Sequence, residues 1–524
     1  MVRRLIPTRR PWALASGVGL AGCVGLAAAV TVGLGATDPD EAIASPPQPV
    51  PAAHTVTAPA SPDPAVESLP LPARVDALIA AADLPASTRI GVSIVDLETG
   101  ASLYAREAEV PLNPASNVKL VTTAAALSRL GPEHRYATRI WADPDSIVDG
   151  VVQGPITLQG GGDPSLVTGE IYELAGQLRS AGITKIKGPI RVDASRFDAD
   201  ALPPGFEQKD EFASHRAPYG AMSVNYNTYE VHARPAKVVG QPPTLLVEPP
   251  IASIELVSEA KTVAGNRNKL WVSAEETGGK TVVTFHGEVG IDNGPSSYRY
   301  PIADPSRYAG ELLALALAQR GISLSKAKVE IGDVGKDAKL LATYRSESLS
   351  ELCRSVNKWS NNFMAEQILR TLVPGDGATA AASLALLREW TAEIGMPQDG
   401  MVLGNGSGLY ANNLISPAAL THLLAHVYAD FRIRSDYLAS LAIMGGDGTT
   451  RSRLSDSPAD GWVRVKTGTL DDVSALSGYA GGHDRDPIAF SILINGLERK
   501  HRAKARELQD GIAELLAAEA ARPH

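Results

Sequence analysis

The chain has 524 residues, of which 44% are hydrophobic and 20% charged, with a formal net charge of −9. That length holds two or three hydrophobic cores, and the acidic balance argues against nucleic acid as a partner. The only cysteines are Cys23 and Cys353, so no disulfide framework is expected.

In chain order, the first signal is a basic cluster, Arg3, Arg4, Arg9 and Arg10, followed by an apolar run over residues 12–36. The run is long enough to cross a bilayer and longer than the apolar core of most signal peptides. The arginines would stay cytoplasmic, with a cleaved signal peptide as the alternative. Leu20-Ala-Gly-Cys23 matches a lipoprotein cleavage box, but the apolar run continues to Leu34, which favours a membrane helix. Gly17-x-Gly19-x-x-Gly22 mimics a dinucleotide fingerprint without the strand that should precede it, and is set aside. We expect residues 1–36 to be an anchor or signal segment and 37–71, rich in Ala, Pro and Thr, a flexible linker. The remainder then lies outside the cytoplasm, and loses the four arginines' positive charge from its balance.

Residues 73–81 read as an amphipathic helix, and residues 91–95 and 101–104 as a hairpin about Glu98-Thr-Gly100. Next comes Asn113-Pro-Ala-Ser-Asn-Val-Lys119. The alanines at 124–126 favour a helix over residues 118–130, stopped by Gly131-Pro132. Ser116 is thereby predicted at a helix N-terminus, where free N–H groups favour a developing anion. Lys119, three residues on, lies over the same face. Other S-x-x-K pairs fare worse: Ser325/Lys328 lies just ahead of a strand-like Val329-Glu-Ile331, and Ser355/Lys358 falls five residues before Ser360.

Residues 141–344 are too long and too patterned to be a loop. Runs at 190–192, 270–272 and 281–285, separated by Gly, Pro and Asn, predict one or two strand-rich inserted domains. Ser360-Asn361-Asn362 then stands on a loop entering a helical run, 363–372. His422 and His426 have i, i+4 spacing but no third ligand, and read as ordinary helix residues. Trp462-Val-Arg-Val465 reads as a strand leading into Lys466-Thr467-Gly468, where Gly468 would let a ligand backbone approach. Such an edge can hold a peptide as an added strand, with Lys466, Thr467 and Thr469 meeting a terminal carboxylate. Strands at 475–480 and 487–494 and a helix at 503–518 close the chain. One catalytic domain is expected from residues 72–140 and 345–524.

Taken in order, these motifs give the S-x-x-K, S-x-N, K-T-G set of penicillin-interacting serine acyl enzymes. With Gly162-Asp-Pro-Ser-Leu166, Ala217-Pro-Tyr-Gly-Ala-Met-Ser-Val-Asn225, Gly406-Ser-Gly-Leu409, Gly446-Asp-Gly-Thr449 and Lys466-Thr-Gly-Thr-Leu470, the chain from about Leu71 resembles the class C, low-molecular-mass penicillin-binding proteins. These are D-alanyl-D-alanine carboxypeptidases/endopeptidases of peptidase family S13, the penicillin-binding protein 4 group. Asn405 departs from the pattern, standing where the family usually has Asp. The resemblance implies an α/β (α+β) fold, with a serine β-lactamase/transpeptidase-like catalytic domain carrying a large strand-rich insertion. It also implies that Asp210, in Pro204-Gly-Phe-Glu-Gln-Lys-Asp210, receives the amino group of a diaminopimelate-like side chain; the alternative is an exposed acidic loop.

The expected chemistry is attack by Ser116 Oγ on the penultimate D-alanine carbonyl of a peptidoglycan stem peptide. Lys119 would be the base, kept neutral by burial and Lys466. Ser360, oriented by Lys119, would protonate the leaving amine, and Asn362 would hold the substrate backbone. The backbone N–H groups of Ser116 and Thr469 would hold the oxyanion. No metal or cofactor is required, and β-lactams would stall at the acyl stage. The competing readings are a β-lactamase, which must deacylate fast, and a non-catalytic wall-binding or sensor protein.

Overall fold

The computed structural model describes residues 69–208, 212–410, 413–457, 459–483 and 485–522. The expected anchor, its Cys23 and the glycine fingerprint lie outside these residues, as does Asp210. Among the described residues no helix is long and apolar enough to cross a membrane.

The central element is a six-stranded antiparallel sheet. Its order is Ser102–Arg106, Arg89–Asp96, Ile488–Asn495, Val473–Ala480, Val463–Thr469, Ala442–Ile443. Strands from before residue 140 and after residue 440 are therefore neighbours, with Arg89 opposite Asn495 and Asp96 opposite Ile488. The two inner strands Val473–Ala480 and Ile488–Asn495 are buried almost end to end. Both faces are covered, so their apolar residues run continuously rather than alternating.

On one face Ile90, Val92, Ile94, Leu476, Phe490 and Ile492 pack with Val75 of Leu71–Ala81 and with Leu508, Ile512 and Leu516 of Arg502–Ala520. On the other, Ala475, Tyr479, Ala489 and Leu493 meet a helical layer. That layer comprises Val118–Leu130, Leu349–Trp359, Asn362–Thr371, Ala380–Glu393 and Pro417–Ala429. Its first helix is buried from Val118 through Leu127, which its run of small and aliphatic residues permits.

Residues 137–345 build a second core. A five-stranded sheet runs Val329–Ile331, Ile190–Asp193, Ile156–Gln159, Ala137–Ala142, Lys339–Arg345. Strand-rich as expected, this region also contains two helices that the strand-like runs did not reveal, Thr168–Ser180 and Pro305–Gln319. The first buries Ile171, Leu174, Ala175 and Leu178, a one-face helical spacing. It links the parallel strands Ile156–Gln159 and Ile190–Asp193, a connection that needs such a crossover. Three smaller sheets occupy residues 228–301.

The second core leans on the helix that carries Asn362. Gln367 Nε2 donates to Gly220 O at 3.0 Å, and Arg370 pairs with Asp198. The Tyr226 ring meets Phe363 edge-on at 6.0 Å.

Candidate active site

Ser116 occupies a single 3₁₀ turn, Ala115–Asn117, that feeds directly into Val118–Leu130. Ala115 has φ +46, an uncommon conformation for a residue with a Cβ. The turn is braced on both sides. Asn113 Oδ1 accepts from Ala115 N at 2.9 Å, and Asn113 N donates to Asn495 Oδ1 at 2.8 Å. Asn117 Nδ2 reaches Ser477 Oγ at 2.7 Å on the sheet. These bonds fix a half-exposed hydroxyl at the seam between sheet and helices.

Lys119 is fully buried one turn on. Its Nζ lies 2.9 Å from Ser116 Oγ, 2.7 Å from Asn362 Oδ1 and 2.5 Å from the Ser407 carbonyl. Burial lowers its ammonium to about 7, against an opposing pull from the Glu366 carboxylate. A lysine with that value is substantially neutral at ordinary pH and can accept a proton.

Ser360 ends the helix Leu349–Trp359 in the left-handed conformation, φ +58. That turn swings its hydroxyl toward the neighbouring strand, where Lys466 Nζ approaches Ser360 Oγ at 2.9 Å. The expected bond from Lys119 to Ser360 is thus replaced by one from Lys466, and Lys119 takes Asn362 as its partner in that motif. Asn361 caps the next helix through its side chain, leaving Asn362 at the first helical position.

Lys466, Thr467, Gly468 and Thr469 end the strand Val463–Thr469. Lys466 is fully buried, and its Nζ also donates to Thr467 O at 2.6 Å. Burial, and then the Lys119 charge, push its ammonium well below the usual lysine value. Gly468 has a nearer reason than ligand access: a Cβ there would sit 2.8 Å from Pro114 O and 3.1 Å from Ala115 Cβ. The glycine lets the strand close against the Ser116 turn. Thr467 Oγ1 is 2.8 Å from Oγ1 of Thr449, the last residue of the Gly446-Asp-Gly-Thr449 motif, whose sequence alone gave it no role.

The segment 445–450 serves two motifs at once. Asp447 pairs with the mostly buried Lys358, two residues before Ser360, and Thr449 reaches Thr467. Ser355 and Lys358 both lie on Leu349–Trp359. His422 Nε2 is 2.8 Å from the Ile394 carbonyl, the contact of an ordinary helix residue.

Asn405 and Glu366, both buried, anchor the loop 405–409 behind Ser116. Asn405 Oδ1 accepts from Gly408 N and from Asn413 Nδ2, while its Nδ2 donates to Pro204 O and Leu409 O. Pro204 O belongs to the stretch that leads towards Asp210, and Phe206 of that stretch meets Tyr410 edge-on at 5.8 Å.

The model of the D-Ala-D-Ala carboxypeptidase 3 (S13) family matches residues 71–519, nearly the whole described chain. The chain belongs to this family. It is accordingly a serine-type D-Ala-D-Ala carboxypeptidase, a hydrolase of the penicillin-binding protein 4 group. This S13 chain is 32% identical over 446 residues to a D-alanyl-D-alanine carboxypeptidase of Actinomadura sp. (strain R39), covering 82% of this chain and 81% of that one. It is 25% identical over 388 residues to the D-alanyl-D-alanine carboxypeptidase DacB of Haemophilus influenzae, covering 73% and 80%. Among solved structures, penicillin binding protein 4 (dacB) from Haemophilus influenzae superposes with a TM-score of 0.73 at 22% identity, covering 86% of this S13 chain and 99% of that one. That likeness shows the shared α+β fold.

Proposed function

We propose that this S13 enzyme cleaves the terminal D-Ala-D-Ala bond of extracytoplasmic peptidoglycan stem peptides through an acyl-enzyme on Ser116. The observation that carries the reading is the 2.9 Å approach of a buried, proton-poor Lys119 Nζ to Ser116 Oγ. Lys119 takes the Ser116 proton as Oγ adds to the penultimate D-alanine carbonyl. The backbone N–H groups of Ser116 and Thr469 receive the oxyanion. As the C–N bond breaks, the leaving nitrogen takes the proton of Ser360 Oγ, which Lys466 Nζ holds in place, and the proton that Lys119 took from Ser116 restores that hydroxyl. Water then attacks the ester and returns Ser116 to its free form.

Asn362 ties the base in place through Oδ1. Thr467 and Thr469, with the buried amine of Lys466 behind them, suit the terminal carboxylate. Asp210 is the candidate acceptor for the substrate's side-chain amine, supported by the packing of Pro204 and Phe206 on the loop behind Ser116. The same steps serve a DD-endopeptidase when the leaving amine belongs to a cross-link. A β-lactam carbonyl would enter at the first step and remain on Ser116. Anchoring through residues 12–36 is part of this reading, supported by an unbroken apolar run after four arginines.

The test is intact-mass analysis of the protein with penicillin, beside Ser116→Ala. A lasting adduct on the wild type alone is expected, with loss of D-alanine from muropeptides. Fast penicillin turnover with no lasting adduct would make the protein a β-lactamase. Folded protein showing neither adduct nor turnover would leave only the binding role.

A further inference from the structure

Among the described residues, Glu366 is the one buried acid beside the site that the chemistry above leaves without a task. It stands on Asn362–Thr371, one turn after Asn362, and is 3% exposed. Its two oxygens are used separately: Oε1 accepts from Ser407 N at 2.8 Å and Oε2 from Gly406 N at 3.2 Å. The same two residues are gripped from the opposite side by the Ser116 helix, with the 406–407 peptide held at both ends. Thr122 Oγ1 donates to Gly406 O at 2.8 Å, and Lys119 Nζ donates to Ser407 O at 2.5 Å.

Every polar group of the Gly406–Ser407 backbone is therefore bound, the N–H groups by Glu366 and the carbonyls by Thr122 and Lys119. The Ser407 carbonyl is anti to Gly408 N, which Asn405 Oδ1 holds, while the Gly406 carbonyl can face the Ser116 helix only if the Ser407 N–H, in the same peptide plane, faces away from it. A buried amide in that position needs an acceptor, and Glu366 is the acceptor present. A neutral side chain of the same shape cannot replace it in full. A glutamine would offer one oxygen and one NH₂, setting a donor against one of the two N–H groups.

We propose that Glu366 is a positioning residue for Lys119. It holds the Gly406–Ser407 segment so that the Ser407 carbonyl that follows aims the lysine amine at Ser116 Oγ, and its charge sets the pH range over which that amine can serve as a base. The inference rests on the reading of Lys119 as the base. The other ionisable groups about the pair are Lys466 on the K-T-G strand, Arg370 one turn beyond Glu366, and Tyr219. The Tyr219 phenol is pushed up by burial, and its ring lies under Arg370 at 4.7 Å. The Lys119 ammonium feels Glu366 as an anion that favours its charged form. Removing the anion should lower the pH at which Lys119 loses its proton.

The experiment is the single-turnover rate constant for acylation by a fluorescent penicillin, from pH 5 to 9.5, for wild type, Glu366→Gln, Glu366→Asp and Lys119→Met. Because a rate constant is independent of the fraction of active molecules, partial misfolding does not imitate the effect. In Glu366→Gln the plateau should fall about 10- to 100-fold, with the acid limb displaced downward by about one pH unit. The ratio of wild type to variant should therefore shrink as the pH falls. Glu366→Asp keeps the charge but loses reach, so it should be slowed with its acid limb near that of wild type. It also serves as the test variant should Glu366→Gln not fold, and a wild-type rate constant in it would then overturn the proposal. Glu366→Gln with wild-type plateau and limb, beside a slow Lys119→Met, would overturn the positioning role alone. Lys119→Met acylating like wild type would instead overturn the assignment of the base, and Glu366 with it.

Discussion

Lys119 and Lys466 are both fully buried, and each places its amine 2.9 Å from a different serine, Ser116 and Ser360. Two ammonium groups facing one cleft from a helix and a strand cannot both stay charged without mutual cost. They titrate as a pair, and the proton that one gives up eases the charge on the other. This is a simple way to keep a base and a cation within one small volume. The pair can then hold one proton between them, with the Lys119 charge working to push the Lys466 ammonium down.

The first prediction concerns pH. Acylation should rise through about pH 7 as Lys119 loses its proton. Lys119→Met should lower the rate constant by about 10³-fold and abolish that limb. Stability should respond in the same window. The folded-state value lies below the usual lysine value of 10.5, so between about 7 and 10.5 the unfolded chain binds more protons. Stability contributed at this site therefore increases as pH rises. Urea midpoints at pH 7 and 9.5 should show a smaller increase in Lys119→Met than in wild type; an equal increase would contradict the assignment.

A second prediction concerns Gly408. It has φ +76, and a Cβ would lie 1.9 Å from the Ala115 carbonyl oxygen and 3.0 Å from Ser116 N. Gly408→Ala cannot be absorbed by a flexible side chain, because the opposing atoms are backbone. A loss of about 3 kcal/mol or more is expected, and the Ser116 turn should shift with it. Urea denaturation and penicillin acylation should both report the damage. A stable variant acylating at the wild-type rate would show that the loop yields where the packing says it cannot.

Asn405 provides a third. Its amide donates to two carbonyls and accepts from two N–H groups, so all of its polarity is used. Asn405→Asp would set a carboxylate oxygen against Pro204 O and Leu409 O. About 2–4 kcal/mol should be lost at pH 8. Burial and the two carbonyls would raise the new acid above its unfolded value. The deficit should therefore narrow as pH falls through that raised value towards 4. Thermal unfolding from pH 4.5 to 8 checks it, and a deficit constant with pH would contradict the orientation of the Asn405 amide.

The fourth concerns Thr449, whose hydroxyl lies 2.8 Å from that of Thr467. Thr449→Val removes a partner from the strand end assigned to the carboxylate. The value of kcat/KM for a D-Ala-D-Ala peptide should fall about threefold to tenfold. A peptide with its terminal carboxyl amidated should lose little further. An equal loss on both substrates would place Thr449 outside carboxylate recognition.

Much of the site was legible because its residues are tied to local structure. The helix expected over 118–130 is the observed Val118–Leu130, the helix after Asn361 lies within a residue of where its pattern puts it, and the strand expected to end at Val465 starts at Val463 and runs on through Lys466-Thr-Gly to Thr469. Local context also separated Ser116 from its decoys, since Ser325 does precede the strand Val329–Ile331. What escaped notice depends on contacts between distant segments. Glu366 looks like any acid on a helix until the loop 405–409 is folded against it. The partner of Ser360 changed from Lys119 to Lys466 because a left-handed residue at a helix end turns its side chain away from the axis, and no spacing rule records that. At Gly468 the space for a Cβ is filled by the Ser116 turn, a contact that local spacing does not record. The helices Thr168–Ser180 and Pro305–Gln319 were hidden by the stronger strand signals around them.

The clasp between Asn113 and Asn495 joins residues 382 positions apart, and it braces the turn that presents Ser116. A chain delivered N-terminus first therefore carries its nucleophile through synthesis and translocation with that brace missing. The strand Ile488–Asn495, which must slot between two others, comes almost last. Contacts this distant in sequence also close slowly. The turn that presents Ser116 is therefore fully braced only once nearly the whole polypeptide has been made.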